Sequence, residues 1–196
     1  MKTKNKKLLI IAVCAFLLVA VSVVGTLAYF SAKDTVTNTF TVGKIAITLD
    51  EAKVDDGGVP AVPAERVKTN EYKLSPSHVY TKDPIVHVDK DSENSWVFIK
   101  VTNGIASVED SANNIDSQIL GNNWTALSGK SGVYYQEYTK GQADKELETF
   151  SQFKIANSAT AKDLEPLSEA NLSVFAYAIQ KDNLMSAEDA WAALSE

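Results

Sequence analysis

Cysteine is almost missing from this chain of 196 residues: Cys14 is the only one, and it lies inside an apolar run near the amino terminus. Downstream of it no disulfide, thiolate zinc site or Cys-based redox centre can form. Histidine is scarce as well, with His78 and His87 alone. Zinc peptidase chemistry of the H-E-x-x-H kind needs two histidines on one helical face with a glutamate base between them. These two are nine positions apart, one beside Pro76 in a loop-like stretch and one in a strand-like stretch. No G-x-S-x-G sequence presents a serine nucleophile. The chain therefore reads as a non-enzyme, with no catalytic, metal-ligating or cofactor-binding residue assigned.

Positive charge is also short beyond the first few residues. Lys2, Lys4, Lys6 and Lys7 all precede the first acidic residue, Asp34, so from residue 29 onward 15 basic residues stand against 25 acidic ones, a net of −10. A surface of that sign repels phosphate backbones, which excludes nucleic acid as an expected partner. What is present is ordinary globular material, 45% hydrophobic and 22% charged, without repeats or low-complexity tracts.

The first 28 residues have the layout of an export signal. Met1–Lys7 is basic, Leu8–Val24 is apolar except for Ser22, and Gly25-Thr26-Leu27-Ala28 places small residues before a cut between Ala28 and Tyr29. The alternative is an uncleaved anchor, since this run of 17 residues at about 1.5 Å each spans nearly the thickness of a bilayer core. Either way, membrane contact is expected only through this segment, and residues 29–196 are expected to form a single exported domain.

Gly25-Thr26-Leu27-Ala28-Tyr29-Phe30, followed by Asp34-Thr35-Val36-Thr37-Asn38-Thr39-Phe40-Thr41-Val42-Gly43-Lys44-Ile45, resembles the amino-terminal signature of the TasA/camelysin family. Looser similarities are Lys82-Asp83-Pro84 before an alternating stretch, Glu93 to Val101, and Ala176 to Gln180 leading to Ala190-Trp191. The resemblance implies export through a SipW-type signal peptidase of Gram-positive bacteria, a jelly-roll-like sandwich, and a secreted subunit of biofilm-matrix or surface fibres. It also implies an alternative, a camelysin-like secreted metallopeptidase, although no ligand motif carries over to any position here.

Period-two patterning dominates residues 40–49, 85–88, 96–101, 133–138, 150–155 and 172–179, which predicts strands. Residues 50–70, with Asp55-Asp56-Gly57-Gly58, Pro60 and Pro63, predict a polar arm or long loop. Asp89–Asn94 predicts a hairpin connection, and residues 103–123 and 140–148, polar and rich in Asn or Glu, predict loops with room for a helical turn. Ser186, Ala187, Ala190, Trp191 and Leu194 have the cap and spacing of one short carboxy-terminal helix. The fold class expected is all-β: an antiparallel β-sandwich with a short terminal helix.

Three features invite function. Asp89, Asp91 and Glu93 alternate as the oxygen donors of a Ca²⁺ loop do, but a calcium loop would have Gly and Glu where Asn94 and Lys100 stand. Aromatic residues such as Tyr135 suggest an adhesive or glycan-stacking face, the basis of a third reading as a monomeric surface-binding module. The extended, Thr-rich segment Tyr29–Thr41 carries Tyr29, Phe30, Val36 and Phe40 at a newly freed amino terminus. Such a strand can add to the sheet edge of another copy, and contacts of that head-to-tail kind build filaments.

Overall fold

The computed structural model describes residues 45–141, 143, 145–182 and 184–194, together with the backbone of residues 31–34. The export segment, its Ala28–Tyr29 junction and the side chains of Tyr29, Phe30, Val36 and Phe40 lie outside the described residues.

The chain folds into antiparallel β-structure with a short carboxy-terminal helix. In chain order the strands are β1 (Ser31–Asp34), β2 (Ile47–Ala52), β3 (Arg66–Val67), β4 (Val79–Thr81), β5 (Ile85–Val88), β6 (Ser95–Asn103), β7 (Thr125–Ala126), β8 (Val133–Tyr138), β9 (Lys145–Glu148), β10 (Gln152–Lys154) and β11 (Leu172–Gln180). The helices are α1 (Ile115–Gly121), α2 (Ala161–Leu164) and α3 (Ala187–Leu194). One sheet has the order β1-β11-β6-β8-β7, a second β3-β2-β5-β9, and β10 pairs with β4 in a small ribbon.

Alternation explains how the sheets meet. In β2 and β5 every second residue is buried, so Ile47, Leu49, Val86 and Val88 form one apolar face. In β6 the run Ser95–Ile99 is buried throughout, which a half-solvated strand cannot sustain. The reason is that both of its faces are covered. Val97 and Ile99 register with Ala178 and Ala176 of β11, which packs against β2 of the other sheet. Trp96 and Phe98 point the opposite way and are covered by Ala187 and Ala190 of α3, with Trp191 packed alongside.

The terminal helix begins as its sequence predicts, with Ser186 Oγ accepting from Asp189 N at 3.1 Å. Three other expectations need correction. Asp89–Asn94 does not close a hairpin: β5 and β6 belong to different sheets, so this turn carries the chain from one layer to the other. Residues 140–148 contain β9, an edge strand whose charged sequence Lys-Glu-Leu-Glu buries only Leu147 and leaves Glu146 and Glu148 exposed. A charged edge resists unwanted pairing, and that same charge conceals the strand from a hydrophobic pattern. Residues 103–123 hold more than a turn: α1 is capped by Asn114 Oδ1, which accepts from Ser117 N at 2.8 Å, and buries Ile115 and Ile119. The arm at residues 50–70 is tied back on itself, with Lys53 N donating to Glu65 O and Ala61 N to Lys53 O, each at 2.8 Å.

Candidate functional site

Two features of the fold meet at one place. The first is the edge of the five-stranded sheet. The backbone of β1 pairs with β11 from Ser31 opposite Ile179 to Asp34 opposite Ala176. Beyond that register β11 continues through Phe175, Val174, Ser173 and Leu172, and these four residues line a cleft of about 710 Å³. The segment 164–171 and the opposed sheet complete its walls through Leu49, Glu51 and the stretch Lys68–Leu74.

The second feature is a polar cluster set into the wall of that cleft. Glu51 on β2 is 5% exposed and Lys82, just after β4, is 7% exposed. The Lys82 ammonium donates to Glu51 Oε2. Asn70 Nδ2 donates to Glu51 Oε1 at 2.9 Å and to Ala52 O at 2.8 Å, while Asn70 Oδ1 accepts from Val54 N at 3.0 Å. Taking two charges out of water is costly unless geometry and further hydrogen bonds offset it, and here both carboxylate oxygens are occupied. Tyr72 closes the cluster on one side. Its hydroxyl donates to Thr81 O at 3.0 Å and its ring packs edge-on to Tyr80 and Phe153. Burial, with the Glu51 charge next, pushes the Tyr72 hydroxyl well above its ordinary value.

A charge network adjoins the cluster. Arg66 Nε donates to Asp50 Oδ1 at 2.7 Å and Nη1 to Asp83 Oδ2 at 2.8 Å, clasping β2 and the β4–β5 connection together. Asp83 Oδ1 accepts from Ala52 N, so Lys82-Asp83-Pro84 is a structural knot: its lysine points inward and its aspartate ties two strands.

The residues weighed from sequence fare differently. His78 Nε2 lies 2.9 Å from Gly57 O. His87 sits between Asp50 and Glu146, at 3.0 Å and 3.6 Å. A catalytic zinc needs three protein ligands around one point. The described residues contain no group of three His, Cys, Asp or Glu side chains so placed, and the two histidines serve different parts of the fold. The donor set of the described residues does not fit a catalytic zinc. Asp89 Oδ1 accepts from Asp91 N at 2.8 Å and Glu93 pairs with Lys140 at 2.7 Å, so two of the alternating carboxylates are engaged in local turn and ion-pair contacts. Tyr135 is half-buried and packs against Trp96 and Phe98 as part of the sheet face beneath α3.

Residues 3–68 match the family model described as Camelysin metallo-endopeptidase. The match covers the amino-terminal third of the chain. No curated protein and no solved structure matches the chain. Within the camelysin-like stretch fall β1, β2, β3 and Glu51, whereas Asn70, Tyr72, Lys82 and β11 lie beyond it. Sequence reasoning passed over Glu51, Asn70 and Lys82. The available signal was Glu51 in a strand at an alternate position shared with Ile47 and Leu49, where a carboxylate needs a buried partner.

Proposed function

We propose that this protein is an exported structural subunit that assembles into surface or matrix fibres through its amino-terminal strand. The observation that carries this reading is the place of β1. Among the described residues it is an edge strand of the five-stranded sheet, its backbone registers on β11 from Ile179 to Ala176, and Phe175 to Leu172 of the same β11 line the adjoining cleft. An extended segment supplied by a second copy gains main-chain hydrogen bonds along such an edge, and its side chains gain pockets in the adjoining cleft. The contact is head-to-tail, so it propagates unless the rotation closes a ring. The camelysin match at the amino terminus and the export layout of residues 1–28 agree with this role.

The test is electron microscopy of the processed chain beside a form lacking residues 29–40, over a range of concentration and from neutral to mildly acidic pH, where the net negative charge and its repulsion decrease. Regular filaments from the first and folded monomers from the second are expected. Equal assembly of both would remove the strand mechanism. A metallopeptidase reading predicts bound zinc and chelator-sensitive cleavage of casein, and the same preparation serves to measure both.

A further inference from the structure

We infer that Lys82 and Asn70 are joined by an intramolecular isopeptide bond, formed without a cofactor and promoted by Glu51. This inference is independent of fibre assembly. The geometry has the three parts such a reaction needs: an amine, a carboxamide, and one acid–base group touching both. Lys82 Nζ contacts one oxygen of Glu51, and Asn70 Nδ2 contacts the other at 2.9 Å. The amide orientation is fixed by its neighbours, because Ala52 O requires a donor and Val54 N–H an acceptor. The side-chain carbonyl of Asn70 is thus polarised by a backbone N–H, and the amide nitrogen that must leave faces the carboxylate. Glu51 and Lys82 are almost completely shielded from water and Asn70 is partly buried, and the Tyr72 ring, 5.8 Å from Lys82 Nζ, packs in turn on Tyr80 and Phe153.

The chemistry balances. Glu51 takes a proton from the Lys82 ammonium, leaving a neutral amine, which is the nucleophilic form. Nζ attacks Asn70 Cγ, a C–N bond forms, and the charge that develops on Oδ1 is held by Val54 N–H, the arrangement of an oxyanion hole. Glu51 returns its proton to Nδ2, the Cγ–Nδ2 bond breaks, and ammonia leaves. The second proton lost from Nζ passes through Glu51 to the departing ammonia, giving ammonium and a neutral secondary amide. No oxidant, reductant or metal enters.

The proposal is tested by the intact mass of the purified full chain, measured after denaturation, followed by tryptic mapping. The expected mass is lower by one ammonia than the chain's termini require. Trypsin should yield Thr69–Lys73 joined to Leu74–Lys90, with cleavage after Lys82 blocked. Glu51→Gln, Asn70→Ala and Lys82→Arg should each restore the full mass and separate the peptides. Succinimide formation at an asparagine loses the same mass, so ammonia loss without the linked peptide overturns the proposal. An unmodified mass in the folded wild-type chain overturns it equally, whether or not the variants fold.

Discussion

The ring of Trp191 meets Tyr177 edge-on at 5.4 Å and lies tilted over Phe98 at 5.3 Å, which seats α3 on the outer face of the five-stranded sheet. An eight-residue helix has little stability of its own, so this contact must hold it. Trp191→Ala should destabilise the fold by about 3 kcal/mol, the low end for a core indole because the ring is only half-buried. Urea unfolding measures this. Met185→Ala is the control: its side chain is 92% exposed, and a change within about 0.5 kcal/mol is expected.

Asp50 gives the fold a pH dependence whose sign is fixed. Burial pushes its carboxyl up, but hydrogen bonds from His87 and Arg66, reinforced by their charges, outweigh that and hold it below its ordinary 3.8. A carboxyl depressed in the folded state stabilises the fold at pH above its unfolded value, and that stabilisation is lost as pH falls through the folded value. Asp50→Asn should therefore be less stable than wild type at neutral pH, by about 1–2 kcal/mol for weakened charge-assisted hydrogen bonds at a partly exposed site. The gap should narrow as pH falls through the depressed folded-state value of Asp50, where its carboxyl becomes neutral like the amide. Denaturant midpoints of the two proteins at neutral and acid pH give the answer, and a gap unchanged with pH would contradict it.

Gly132 holds β8 against β6. Val101 N donates to Gly132 O at 2.8 Å, and Gly132 has φ of +71°; a Cβ there would sit 2.6 Å from Val101 O. Gly129 has nearly the same φ, +70°, with open space around it. The pair separates two effects. Gly129→Ala should cost about 1–2 kcal/mol for left-handed backbone alone. Gly132→Ala should cost clearly more, since the overlap is with backbone and one strand or the other must move. Equal losses would mean that the strand pairing yields easily.

The strands that were legible in the sequence are those with an apolar face: β5, β6, β8 and β11 follow the alternation of their residues almost to the end. The terminal helix was legible because Ser186, Ala190 and Trp191 agree in cap and spacing. What escaped were elements whose stability comes from elsewhere. Short strands such as β3 and β7 exist because neighbours offer a register to pair with, Glu51 to Val67 and Tyr134 to Ala126. β9 carries the charge of an edge. The Glu51–Lys82–Asn70 cluster escaped for another reason: its members are distant in sequence, and only the return of the chain after Pro63 brings Asn70 beside β2. Composition marks such residues as exposed by default, and burial of a charge becomes visible only with its partner.

Phe175 offers the sharpest test of the edge that the fibre reading uses. It stands on β11 one residue past the partner of Asp34, is half-buried, and belongs to the stretch of that strand that lines the cleft. Its register partner on the inner side is Lys100 of β6, an exposed residue, so a charge placed here does not enter the core. Phe175→Glu should leave the monomer folded, with a loss of about 1–2 kcal/mol for a half-buried ring. A fixed negative charge on a strand edge opposes pairing with an incoming strand and adds repulsion to a chain that is already acidic. Filament formation should fall sharply at neutral pH and recover in part when the glutamate is protonated. Circular dichroism reports the fold and electron microscopy the assembly. Filaments as abundant as those of the wild type, from a properly folded variant, would place the assembling surface elsewhere than along β11.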